Sequence, residues 1–334
     1  MKPFTLDRPQ SVADAVRAVA ADPSAVYLAG GTNLVDHLKL GIVTPDRLVE
    51  LATLTSSDIR DDDGALVIGA GVRNSDLAAD PRVRERYPVL AEALLSGASG
   101  QLRNMATTGG NPLQRTRCAY FQDVTTPCNK RSPGSGCSAL GGYTRYHAIL
   151  GASEHCVATH PSDMAVALLA LDAEVHVLGA AGERTVPFAD LHRLPGDQPD
   201  RDTALDHGDL ITEIALPAVS WARRSRYRKV RDRASYAFAL ISVAAGVTLV
   251  DGVLEDVRIA LGGVAHKPWR AQRAEEVLRG QRPSPEVFRA AADAELRDAR
   301  PLEGTDGGNA FKIPLTRRTL TAVLRDLTTE EPGR

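Results

Sequence analysis

The chain has 334 residues, 43% of them apolar, and a formal charge of −2. That length suits two or three domains with ordinary cores and excludes a tail or linker. The charge balance gives no general attraction to nucleic acid, and no run of 18 apolar residues is present to cross a bilayer.

The N-terminal "MKPFTLDRPQ" lacks the apolar core of a secretory signal, so folding in the cytoplasm is expected. From Ser11, the spacing of Val12, Ala15, Val16 and Val19 predicts an amphipathic helix, with Ser11 as N-cap and Asp14 as the acidic member of a capping box. "AVYLAG" reads as a short buried strand, "GGTN" breaks it, and "LVDHLKLG" reads as a helix ending near Gly41. "DRLVELATL" and "GALVIGAGVRNSDLAAD" read as further strands, and "YPVLAEALLSGAS" as a helix. "HPSDMAVALLALDA" reads as a capped, buried helix, "EVHVLGAAGERTVPF" as a hairpin turning at Gly179 to Gly182, and "DLITEIALP" as a strand. From about residue 222 come two or three strands, with a hairpin at Asp251-Gly252, and then three helical stretches. Strands followed by helices make an α+β unit.

Four cysteines, Cys118, Cys128, Cys137 and Cys156, crowd into one loop-like stretch. In a reducing compartment such a cluster points to a metal or iron-sulfur site. Gaps of nine, eight and eighteen residues match neither the C-x₂-C knuckle nor ferredoxin spacings, and exclude neither zinc nor iron-sulfur. Arg115, Arg117, Lys130 and Arg131 are placed to offset the negative charge of a thiolate cluster, and Gly134 and Gly136 to bring backbone N–H groups to sulfur. The same charges also suit a solvated loop. His147, His155 and His160 lie in or beside the stretch, but four thiols already complete a site.

Gly30 and Gly31 sit where a strand passes into a helix, a place for backbone N–H groups to meet an anion, with Thr32 and Asn33 adding side-chain donors. A second glycine pair lies in "ATTGGN" at 106 to 111. The dinucleotide fingerprint is absent, since "GAGVRN" lacks its third glycine, and so is the P-loop. Two such loops suit the two ends of a nucleotide-like ligand.

In their order along the chain, "YLAGGTNLVDHLK", "QLRNMATTGGNP", "THPSDMAVALLALDA" and "YRKVR" resemble the FAD-binding subunit of the xanthine dehydrogenase or molybdenum hydroxylase family. The resemblance runs over nearly the whole chain. It implies an α+β fold with a two-subdomain FAD-binding domain of the PCMH type at 1–221 (subdomains about 1–55 and 56–221) and a small C-terminal CO-dehydrogenase-flavoprotein-like domain at 222–334. It also implies pyrophosphate contacts from Leu28, Ala29, Gly30, Gly31, Thr32, Asn33, Leu34, Val35 and Asp36. Thr107, Thr108, Gly110 and Asn111 are implied along the ribityl and phosphate portion, Asp163 as a hydrogen-bond partner, and Ile211 and Lys229 near the ring system. A cation at Lys229 would stabilise the charge of reduced flavin. A solvated basic strand is the alternative, since Arg226, Arg228, Arg231 and Arg233 surround it.

Between the second loop and "HPSD", about residues 113–157 form an insert that resembles the aldehyde oxidoreductase FAD subunits, including the periplasmic enzyme, whose extra loop binds a 4Fe-4S cluster. The resemblance implies Cys118, Cys128, Cys137 and Cys156 as its ligands. It further implies an electron-transfer role with no catalytic residue on this chain beyond FAD. A molybdopterin-binding large subunit and a 2Fe-2S small subunit would supply electrons taken from aldehydes, and an external acceptor would receive them. The same resemblance implies a soluble chain without a membrane span, periplasmic by co-export with a signal-bearing partner, and otherwise cytoplasmic. The competing readings are a self-contained flavin oxidase and a metal-stabilised interaction module. Against the first, "AGGTN" has no histidine for a covalent flavin link.

Overall fold

The computed structural model describes residues 1–329. Its first sheet is parallel, with strands β1 (Thr5–Asp7), β2 (Ala25–Leu28) and β3 (Arg47–Glu50) in the order β1-β3-β2. The helix Val12–Ala20 begins as expected at Ser11, whose Oγ accepts from the Asp14 N–H at 3.1 Å. The capping box itself is incomplete, because the Asp14 carboxylate accepts from Ser11 Oγ and pairs with Arg17 instead of reaching the Ser11 N–H. The helix Leu34–Leu40 stops at Gly41, in the left-handed region at φ 70°.

The second sheet is antiparallel: β4 (Ile59–Asp62), β5 (Ala65–Gly69), β6 (Glu174–Gly179), β7 (Gly182–Pro187) and β8 (Leu210–Leu216), in the order β4-β5-β8-β6-β7. Only the first half of "GALVIGAGVRNSDLAAD" is a strand; Asn74–Ala79 is helical, a correction to the strand reading. Past Gly71 the apolar spacing changes to Leu77 and Ala78, which the helix buries together.

The third sheet holds β9 (Ser225–Val230), β10 (Ile241–Val250), β11 (Val253–Gly262) and β12 (Trp269–Arg270), antiparallel in the order β12-β11-β10-β9. The hairpin turns at Asp251 and Gly252, both at positive φ, as a two-residue primed turn requires. The helices Gln272–Leu278, Pro285–Leu296 and Lys312–Thr329 build one core with this sheet. On the sheet's other face, Ala244 and Ala260 join the core of the second sheet and the helices Pro88–Ser96 and Asp163–Ala170. Sandwiching explains why all eight residues of Asp163–Ala170 are buried and its sequence shows no polar face. Among the described residues no helix is long and apolar enough to cross a membrane.

The seam between the units is tight at Gly246, where a Cβ would come within 2.2 Å of the ring of buried Trp221. Gly246→Ala should cost about 1–3 kcal/mol through overpacking. The measurement is a urea titration, in which the midpoint falls and the slope is unchanged.

Candidate functional site

A cavity of about 880 Å³ opens where the three sheets meet. That size is within the range for a cofactor site. One wall is the turn after β2. Gly31 sits at φ 73°, a conformation that disfavours any side chain, whereas Gly30 is required for space: the Met105 carbonyl occupies the position of a Cβ. The two glycine loops therefore touch. The second loop is anchored to the segment after β5, with Asn74 N–H donating to Ala106 O at 2.9 Å and Arg73 to Met105 O at 2.6 Å. Asn111 Oδ1 accepts from Ser162 Oγ at 2.6 Å, which joins this loop to the N-cap of Asp163–Ala170.

Most of the sequence-derived flavin contacts line the cavity, including Ala29, Asp36, Thr107, Ile211 and Lys229. Leu28, Val35 and Thr108 do not; Thr108 is buried behind the wall with its Oγ1 on Val72 O.

Strand alternation places Ser225, Tyr227 and Lys229 on one face of β9, which resolves the basic run. Arg226 and Arg228 turn outward to Glu92 and Asp326. Arg231 and Arg233 bond the carbonyls of Ser96 and Tyr236. Lys229 is buried and lines the cavity, with Nζ 2.7 Å from Asp163 Oδ2 and 3.2 Å from Ser96 O. Two of its three ammonium donors are used, leaving one for a ligand. The Tyr227 hydroxyl donates to Asp163 Oδ1. Burial first, and then the Asp163 charge, push that phenol well above its ordinary pKa, so it stays a donor.

Several buried atoms of cavity-lining residues, Asn74 Oδ1 and Arg117 Nε among them, have no hydrogen-bond partner among the described residues. Orphaned groups of this kind are what a polar ligand would satisfy. Together with the glycine loops and Lys229, they fit a long anionic dinucleotide such as FAD.

Sequence reasoning missed Asn74, Tyr227, Ser242 and Gly262. Tyr227 was legible from the period-two pattern with Lys229. Ser242, opposite Lys229 in the β9–β10 register, had only the signal of one polar residue at the head of an apolar run.

The insert folds beside the first loop. Its four cysteines are free thiols that line a single small pocket, and Cys118 also lines the large cavity. Cys128 and Cys137 face each other across an isolated antiparallel bridge. Burial pushes the Cys118 thiol up to about 12 and raises Cys156 as well. Against burial, the backbone N–H groups of Phe121 and Tyr120 favour the Cys118 thiolate, and that of Ala158 favours the Cys156 thiolate. The expected donor Gly136 is taken by Asn129 Oδ1 at 2.8 Å.

The basic residues are mostly committed elsewhere. Arg131 bonds the carbonyls of Tyr120, Phe121 and Thr126, Arg117 lies near Asp36 and over Phe238, and Arg115 and Lys130 converge on Asp202. Of the four, Lys130 favours the thiolate of Cys156. His147 Nε2 lies 3.2 Å from Cys118 Sγ, His155 is partly exposed, and His160 Nε2 reaches Pro112 O at 3.1 Å. Among the described residues, no three His, Cys, Asp or Glu side chains are arranged around one metal ion.

Residues 2–219 match the family model for the FAD binding domain in molybdopterin dehydrogenase, and residues 225–327 that for the CO dehydrogenase flavoprotein C-terminal domain. The chain is 50% identical over 328 residues to the aldehyde oxidoreductase FAD-binding subunit PaoB of Escherichia coli (strain K12), covering 98% of each. It is 26% identical to the glyceraldehyde dehydrogenase medium chain of Sulfolobus acidocaldarius, covering 92% of each. A solved structure of carbon monoxide dehydrogenase from Hydrogenophaga pseudoflava superposes with a TM-score of 0.75 at 26% identity, covering 97% of this chain and 96% of that one.

Because the Met105 carbonyl fills the space beside Gly30, Gly30→Ala should push the two loops apart while leaving the cores intact. Flavin fluorescence titration of the variant is expected to show affinity reduced by about tenfold or more, the equivalent of one charge-assisted hydrogen bond.

Proposed function

The chain belongs to the family of molybdopterin dehydrogenase FAD-binding subunits, and we propose that it is the electron-transfer subunit of a molybdenum-containing aldehyde oxidoreductase. The observation that carries this reading is the meeting of both glycine loops with the Asp163–Lys229 pair in one cavity. Residues 1–221 are read as the flavin domain and 222–334 as the C-terminal domain. The aldehyde substrate rests on the 50% identical relative, which is named for that activity. Relatives named as medium chains support a large molybdopterin-binding and a small 2Fe-2S partner subunit. Export to the periplasm with a signal-bearing partner belongs to the same reading.

When bound, FAD accepts electron pairs and releases them one or two at a time. The chain's own task is to hold and bias it. The loop Gly30 to Asn33 and the loop Thr107 to Asn111 offer backbone and side-chain donors to the phosphates and ribityl chain. Lys229 presents a desolvated cation whose orientation Asp163 fixes, and Tyr227 restrains Asp163 in turn. Ile211, buried on β8, supplies an apolar contact.

For the insert, the reading is a 4Fe-4S cluster on Cys118, Cys128, Cys137 and Cys156. Four free thiols lining one pocket support it. A single zinc would need its thiolates within about 4 Å of one another, given bonds of about 2.3 Å, whereas a four-iron core spans a wider set.

The first test is an absorption spectrum of anaerobically purified protein before and after dithionite, with iron and sulfide analysis. Bleaching of flavin together with about four irons per chain is expected. A colourless protein would overturn the flavin reading, and one zinc per chain or metal-free thiols the cluster. In a second test, Lys229→Met removes the cation and exposes the flavin to Asp163, and both effects disfavour reduction. The flavin midpoint potential should drop by about 30 mV or more, as about 1.4 kcal/mol corresponds to 30 mV for two electrons. An unchanged potential would remove Lys229 from the ring environment.

A further inference from the structure

The helix Leu34–Leu40, which leads away from the first glycine loop, buries only His37 and Leu38. It has little core of its own, and its two ends are held by the insert. At its start, Asn33 occupies the N-cap position but its side chain makes no capping bond to a backbone N–H of the helix. Its Oδ1 instead accepts from the backbone N–H of Arg115 at 3.0 Å, and its Nδ2 donates to His37 Nε2 at 3.3 Å. Burial first, with Arg115 and Arg117 adding to it, holds His37 down to about 4, so the ring is a neutral acceptor and the orientation of the amide is fixed.

Arg115 is itself locked. Its guanidinium lies 4.7 Å from the centre of the Phe121 ring and bonds Asp202 at 2.8 Å. Asp202 is shared with the buried ammonium of Lys130, which also bonds Pro199 O at 2.7 Å and His266 Nε2 at 2.6 Å. At the far end of the helix, Ile42 packs in a small core with Phe121 and Cys128, flanked by Val43 and Cys118. Midway, the His37 ring meets Phe121 edge-on at 5.6 Å. Phe121, Cys118 and Cys128 are at the same time walls of the four-thiol pocket.

We propose that the cysteine-bearing insert positions the first glycine loop through Arg115 and Phe121, so that flavin retention and order at the thiol site are coupled. This rests on the reading of the large cavity as a flavin site and on no particular occupant of the thiols. Asn is a favoured N-cap, so without the Arg115 N–H its side chain would have an alternative partner in its own helix, and the loop would then have two arrangements. The insert selects one of them. Coupling between two binding sites is reciprocal: whatever orders the thiol pocket favours the flavin-ready loop, and bound flavin favours the ordered pocket.

The test uses the full-length protein in two arms. Phe121 faces the thiol pocket and is not part of the cavity wall, so Phe121→Leu removes the ring contacts to Arg115 and His37 without removing a ligand contact. Its flavin dissociation constant should rise about three- to tenfold, the worth of an aromatic contact. In the second arm, needing no substitution, the unmodified chain is freed of any metal by anaerobic chelation, and iodoacetamide labelling of Cys128, Cys137 and Cys156, which unlike Cys118 do not line the cavity, is followed with and without saturating FAD. Labelling should slow several-fold when FAD is bound. If the unmodified chain binds no FAD, the flavin reading fails. If it binds FAD and labelling is indifferent to it, or a folded Phe121→Leu keeps full affinity, the coupling is overturned.

Discussion

The structure turns on one buried carboxylate. Asp163 opens a helix clamped between the second and third sheets, and both of its oxygens are taken by residues of β9, Tyr227 and Lys229. Burying an ionised carboxylate costs several kcal/mol, which its partners offset with help from the first-turn position in the helix, where the backbone dipole favours negative charge. An apolar pair of similar volume would hold the seam equally well on energetic grounds. What it would not provide is a cation on the cavity wall, fixed in direction and shielded from water. The charge pair therefore gives the cavity a fixed cation, at the point where the two domains of the chain meet.

Around that point, backbone proximity does most of the shaping. The end of β2, the segment after β5 and the start of the Asp163 helix converge, and each is tied to the next. Gly30 lies against the Met105 carbonyl, Arg73 and Asn74 bond the second loop, and Ser162 bonds Asn111. None of these contacts leaves room for an added Cβ at Gly30 or a free rotor at Asn111. Contacts of this kind restrict the second loop, so a ligand spends less on ordering it.

This division between local and long-range order also explains what the sequence disclosed. The Ser11 and Ser162 caps, the Gly41 stop, the hairpins at Gly179 and Asp251, and the glycine loop at Gly30 are set by neighbours within a few residues, and each was legible. The strand reading failed beyond Gly71 because a short amphipathic helix and an alternating strand look alike over six residues. Ser242 and Gly262 reach the cavity only because β10 and β11 pair with β9, and no local pattern marks them. Asp202 was invisible for the same reason: its partners Arg115 and Lys130 lie 87 and 72 residues away.

The insert is the extreme case of long-range order. Between Leu113 and Asp163 the only regular element is the single turn Ala119–Gln122, yet Phe121, Ala148, Ile149 and Val157 are almost completely buried. A loop of this length inside a compact domain is uncommon and needs cross-links that replace a hydrogen-bond ladder. Side chains supply some: Arg131 gathers three carbonyls, and Asn129 bridges Gly136 and His155. At the centre, however, four free thiols line one small pocket, and uncrosslinked thiols contribute little to holding it together. Under the proposed cluster reading, binding all four as thiolates would strengthen that weak spot, because site formation would add its free energy to folding. On the coupling proposed above, that order would reach the glycine loop by the short route through Phe121 and Arg115, beside Asn33.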